Sequence, residues 1–115
     1  MPTTIRTVTI PAGESLSNGA DISGAVQIFV GTPAVWTSAN VTFQVSLDSG
    51  ATWFDWFGGN NQEEMMAMGG LLGGMRVLTS DTVIPKTAQI KLRSGNRRNP
   101  IVQQQDAVFT LYVIT

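Results

Sequence analysis

The chain predicts an all-β fold: a single antiparallel β-sandwich or jelly roll of about seven to eight strands, occupying residues 1–115 as one domain. Three observations predict it. Apolar and polar residues alternate with period two in several short runs, most cleanly in Val41, Phe43, Val45 and Leu47 against Thr42, Gln44 and Ser46. Proline and glycine punctuate the chain between these runs, as at Pro11-Ala12-Gly13 and Gly31-Thr32-Pro33. No segment repeats apolar residues at the helical period for the roughly ten residues that a helix requires.

The elements follow in order. Thr4 to Ile10 is rich in β-branched residues and closes at the first turn signal. Ala25 to Val30 sets Val26, Ile28 and Val30 on one face. Asn40 to Leu47 is the clearest strand, predicted with Val41, Phe43, Val45 and Leu47 inward. A tight turn follows, and Thr52 to Phe57 is predicted to return beside it. Weaker strands are predicted at Met75 to Thr79 and at either Thr82 to Pro85 or Ile101 to Gln104. Ala88 to Arg93 turns Ala88, Ile90 and Leu92 to the core, and Ala107 to Thr115 does the same with Ala107, Phe109, Leu111 and Val113.

Composition narrows the function. The chain has neither cysteine nor histidine. Thiol chemistry, cysteine-based zinc sites and a Ser-His-Asp triad are therefore absent, and no cofactor or metal is predicted. Its length suffices to bury a core without disulfides. A net charge of −1 gives no general attraction to nucleic acid, and no run is long and apolar enough for a membrane span. Met1-Pro2-Thr3-Thr4 leads directly into a strand-like run and does not read as a signal peptide. Charged residues make up 13%, against about 25% in ordinary domains, which predicts that much of the surface is covered by something. Charge is also uneven. Residues 1–65 set Arg6 against Glu14, Asp21, Asp48, Asp55, Glu63 and Glu64, whereas residues 66–115 set Arg76, Lys86, Lys91, Arg93, Arg97 and Arg98 against Asp81 and Asp106.

Ser46-Leu47-Asp48-Ser49-Gly50-Ala51-Thr52-Trp53 is the most distinctive local pattern. It resembles the Asp-box of sialidases and other β-propeller proteins at Ser46, Asp48, Gly50, Thr52 and Trp53. Physically it predicts a hairpin turn. Asp48 accepts backbone hydrogen bonds from just beyond it, Gly50 supplies a positive φ, and the Trp53 indole lies over the turn. A propeller needs several blades of about 40–50 residues each, and the motif occurs once. Glycoside hydrolysis would need two suitably spaced carboxylates. Asp48 is committed to its turn, and no partner for Asp55 is evident from the sequence. The arginines do not match the spaced triad of sialidases either. The chain is therefore read as non-enzymatic.

Two further segments are candidate contact surfaces. Residues 63–75 place Met65, Met66 and Met68 ahead of two Gly-Gly pairs that flank Leu71 and Leu72. This is either a loop folded over one end of the sandwich or a segment that orders against a neighbouring subunit. Residues 94–100 form a turn-rich loop whose Arg97 and Arg98, with Lys91 and Arg93, predict a positive patch. The patch is either a solvated hairpin tip or a dock for an acidic protein surface. Trp36, Trp53, Phe54, Trp56 and Phe57 are either core or a sugar-stacking platform, although Trp53 and Trp56 differ in parity along a strand.

A second resemblance covers the chain from about residue 10 to its end. Gly-Glu-Ser-Leu-Ser at 13–17, Ala-Val-Trp-Thr-Ser-Ala at 34–39, the run at 41–53, Leu-Arg-Ser-Gly at 92–95 and Val-Gln-Gln-Gln at 102–105 together resemble small virion proteins of tailed bacteriophages. The resemblance implies a compact β-sandwich that serves as cement on a capsid or as a small tail or collar component. The expected function is that of a capsid decoration protein binding across adjacent capsid subunits. Its expected location is the virion, after synthesis in the host cytoplasm, with the major capsid protein and further copies of itself (a dimer or trimer) as partners. Residues 63–75, the N-terminal strand and the loop at 93–98 are the expected contacts. A carbohydrate-binding or adhesion module on a tail or collar is the alternative.

Overall fold

In a computed structural model, which describes residues 2–57, 61–79 and 84–115, the chain forms two antiparallel sheets. The strands are β1 (Thr3–Ile10), β2 (Ala20–Asp21), β3 (Gln27–Gly31), β4 (Val41–Ser46), β5 (Phe54–Asp55), β6 (Met65–Met66), β7 (Met75–Thr79), β8 (Gln89–Ser94) and β9 (Ala107–Ile114). The first sheet runs β1-β9-β3-β7; the second runs β2-β8-β4-β5, with β6 also paired to β4. The all-β sandwich expected from the alternation is what forms. The two-residue strands β2, β5 and β6 account for the larger strand number, because such short pairings leave no periodic trace in a sequence.

Register explains the core. Pairing of β9 with β1 sets Val8 opposite Phe109 and Ile10 opposite Ala107. On its other side Leu111 meets Val30 and Val113 meets Ile28. In the second sheet Phe43 pairs with Leu92 and Val45 with Ile90. Directly paired residues share a face, so these rows, except the half-buried Val45, close on one another as a single cluster joined by Ile22, Trp36, Met66 and Met68. The Trp36 ring meets Phe109 edge-on, with centroids 5.1 Å apart.

Three expectations need correction. Leu47 does not face inward: β4 ends at Ser46, the chain turns, and Leu47 is exposed. Thr42 and Ser46, expected outward, are fully buried. The Thr42 hydroxyl donates to the Gly95 carbonyl at 2.9 Å, and Ser46 is enclosed by its own turn, so covering segments override the alternation. The return strand of the hairpin shrinks from Thr52–Phe57 to Phe54–Asp55.

Residues 101–104 are not a strand either. Ile101 N–H donates to Ser94, Gln103 N–H donates to Glu14, and Gly13 N–H donates to Gln103, each across 2.8–2.9 Å. Gln103 is buried as a clamp, its amide bonding both the N–H and the C=O of Thr37 at 2.9 Å. Of the alternative run, Thr82 and Val83 lie outside the described residues. The predicted strand at Met75–Thr79 is present as β7.

Phe109→Ala removes a fully buried ring that packs against Trp36. It is expected to lower stability by about 4 kcal/mol, read from the urea midpoint at unchanged m-value.

Candidate functional site

The outer face of the second sheet holds some of the predicted residues. One register row crosses it as Met65, Thr42 and Arg93. Arg93 projects from β8 but is only 8% exposed. Its guanidinium donates to Glu63 Oε2 at 3.0 Å and to Asp55 Oδ1 at 2.9 Å. Glu63 Oε1 accepts the backbone N–H of Arg97 at 3.2 Å, and Gln44 donates to Asp55 at 3.4 Å. The expectation that Arg93 belongs to an exposed basic patch is therefore corrected. The partners lie 38 and 30 residues away in the chain, so no local spacing announces them. The triad also couples the acidic first part of the chain to the basic second part. Its guanidinium occupies the space between the two carboxylates, where a glycosidase would need a sugar.

Lys91 leaves the patch as well. Its ammonium lies 4.4 Å from the centroid of the Trp53 ring. Arg97 and Arg98 remain exposed on the loop after β8. That loop is ordered by Asn96, whose side-chain oxygen accepts the N–H groups of Arg98 and Asn99 at 2.9 and 2.8 Å. Gly95 opens it at φ 85°, and a Cβ there would collide with the Asn99 carbonyl and lie 2.7 Å from the Ile101 nitrogen.

Residues 63–75 divide between core and surface. Met66 and Met68 are buried in the core and Leu71 packs against it, while the Trp36 indole N–H donates to the Leu71 carbonyl at 2.7 Å. Pairing of β6 with β4 forces the split: Met66, opposite Val41, faces in, and Met65, opposite Thr42, faces out. Of the expected contact residues here, Met65 and Leu72 are the exposed ones. Met65, Arg97 and Arg98 then converge on one shallow cleft of about 330 Å³, together with Phe57 and Glu63. The Arg97 guanidinium lies 5.1 Å from the Phe57 ring. Phe57 was not among the expected docking contacts; only the three-dimensional pairing of residues 57 and 63 brings it there.

At the turn 46–53 the expected Asp48 bond to a backbone N–H beyond it and the expected positive φ of Gly50 are present, and Ser46 and the Trp53 indole add bonds that were not expected. Asp48 Oδ1 accepts the Ser46 hydroxyl at 2.7 Å and the Thr52 N–H at 2.8 Å. Gly50 donates to Ser46 Oγ at 2.8 Å and takes φ 92°, and the Trp53 indole donates to the Gly50 carbonyl at 3.0 Å. The Ser46 hydroxyl, followed by the Thr52 N–H, holds the Asp48 carboxyl below its ordinary range. The other aromatic rings do not share a face. Trp36 is core, and Trp56 leans on Phe43 with centroids 6.0 Å apart. Phe54 is exposed at the sheet edge. Among the described residues, no group of three or more Asp or Glu side chains is placed to hold a metal ion.

No protein-family model and no curated protein sequence matches this chain. Comparison with solved structures does find a match. In fold, the chain is similar to the SPBc2 prophage-derived protein YomS. The superposition covers 100% of this chain and 96% of that one, with a TM-score of 0.54 and 9% sequence identity. The similarity at that identity is one of fold.

Arg93→Met leaves two carboxylates facing each other without their cation. It is expected to lower stability by about 3 kcal/mol, and the triple variant that adds Asp55→Asn and Glu63→Gln to recover most of the loss, both measured by urea denaturation. Asp48 gives a pH signature. Because folding depresses its pKa, its contribution is present above the ordinary carboxylate range and is lost as pH falls through the folded value. Asp48→Asn should therefore lower the urea midpoint at neutral pH, and the gap to wild type should close in acid.

Proposed function

We propose that this chain is a non-enzymatic structural protein of a bacteriophage virion, and within that class a capsid decoration protein that binds across adjacent capsid subunits. The observation that carries the reading is the full-length fold similarity to a prophage-derived protein. It joins the sequence resemblance to small virion proteins of tailed phages. The chemistry supports the same direction. Asp55 and Glu63 are both occupied by Arg93, and the distinctive turn spends Asp48 on its own hydrogen bonds.

A cement protein needs a stiff body with contact groups on its surface. The sandwich supplies the body. The cleft supplies the contact groups, with Phe57 and Met65 as its apolar lining and Arg97 and Arg98 beside them. Such a surface suits an acidic, partly apolar ridge on a capsid subunit. Many copies on a symmetric shell would turn weak single contacts into stable attachment. The exposed ring of Phe57 in the cleft favours a second reading, a tail- or collar-associated carbohydrate-binding module.

Purified particles decide between them. The decoration reading expects the protein on mature heads at a copy number set by capsid symmetry, located by mass spectrometry and electron cryo-microscopy. Absence from mature virions overturns it. Location on the tail together with glycan-array binding moves the assignment to the second reading. On heads, Arg97→Glu/Arg98→Glu is expected to reduce occupancy at least about tenfold without loss of folding.

A further inference from the structure

The outer face of the first sheet bears no charge among the described residues. Register places Thr3, Ile5, Thr7 and Thr9 of β1 on that face, with Val108, Thr110, Tyr112 and Ile114 of β9 beside them. Gln27, Phe29 and Gly31 of β3 continue it, and Met75 and Val77 of β7 complete it. A single row crosses all four strands as Ile5, Tyr112, Phe29 and Val77. Within it Ile5 is 61% exposed and Val77 46%. The second sheet is the opposite case, with Asp21, Asp55, Lys91 and Arg93 on its outer register.

The two charged residues of the first sheet lie on the inner register of its edge strands. Arg6, opposite Leu111, reaches Asp21 at 3.9 Å. Arg76, opposite Val30, donates to the Ala67 carbonyl. Inward-pointing edge charges discourage another strand from adding to the edge, and they do nothing to protect the face. The sequence thus guards its edges and leaves a flat apolar face open.

We propose that a second copy of this chain covers that face, in a two-fold, sheet-on-sheet dimer. The register rows of that face carry neither sign of charge, and Arg76 stands only at its β7 margin, so no like charges face each other across a two-fold contact of these rows. It also carries both halves of a fit: Ile5 stands out at one edge, and Phe29, Met75 and Val77, with Arg76 from the inner register of the edge strand, line an open recess of about 490 Å³ at the other. A two-fold axis along the strands, between β9 and β3, sets Ile5 of each copy into the recess of the other, as an isologous interface requires. Strands about 4.8 Å apart with residues about 3.3 Å apart give a face on the order of 500 Å² per copy. The pair then buries about 1,000 Å², the lower bound for a specific interface and the range of micromolar association. The inference does not rest on the place of the protein in a virion.

Sedimentation velocity on the purified chain tests it, across about 1–200 µM. Wild type is expected to dimerise, and Ile5→Lys or Val77→Glu to weaken the dimer at least about tenfold, since each change occurs twice per interface. Leu47→Lys, on the turn beyond β4, should change nothing. Within one copy, positions 5 and 77 are three strand spacings apart, about 14 Å. The double variant Ile5→Lys/Val77→Glu therefore regains association only by pairing across the interface, and it is expected to do so. Thermal unfolding of each variant, measured at low concentration, checks that the monomer is intact. A wild type that stays monomeric throughout, which is the result if the face serves a different protein, overturns the proposal. So do single variants that dimerise as wild type does, or a double variant that fails to recover.

Discussion

Strand β9 is the constraint on which the rest of the structure depends. It is paired along its whole length to β1 and over five residues to β3, so its alternation is imposed on both neighbours. Its inner residues Ala107, Phe109, Leu111 and Val113 are all buried. Each large apolar side chain placed there contributes on the order of 1.5–3 kcal/mol, and a one-residue slip would expose the entire set. The same alternation sends Val108, Tyr112 and Ile114 to the opposite face. The core and the uncharged outer surface are thus two consequences of one period-two pattern.

The second sheet solves a different problem. Its outer face is covered locally by chain segments that bring polar groups with them, and each buried side-chain polar atom among the described residues has a partner. Arg93 is central to this. It joins β8 to β5 and to the segment entering β6, and thereby holds the chain that delivers Met66 and Met68 to the core. Removing a partner from such a cluster costs more than the cluster contributes, because the remaining charges stay desolvated. This triad and the Asn96 turn together give the Met65–Arg97–Arg98 cleft its shape. Contact surface and structural ion cluster are adjacent layers of one construction.

The two broad faces of the sandwich therefore differ in chemistry. One is closed by its own loops, with charges spent on internal pairs. The other is open, apolar and threonine-rich. The proposed dimer and the proposed capsid contact thus fall on different surfaces.

Much of this was legible in the sequence. The all-β class, the inward rows of β3, β8 and β9, and the 46–53 turn itself follow from period two and from the local chemistry of Asp48 and Gly50. These depend on residues close together in the chain, where a side chain's direction and reach are set by the backbone. The division of residues 63–75 was not legible, because Met65 and Met66 differ only in which way a two-residue strand presents them to β4. Nor was the burial of Arg93, whose partners come from distant segments, or the charge-free face, which exists only once four strands are in register. By itself the sequence determined which residues seek burial and where the chain turns, since hydrophobic periodicity and turn stereochemistry are local. Tertiary structure alone decided which charges are neutralised and which apolar residues stay exposed, since both are set by what packs against them.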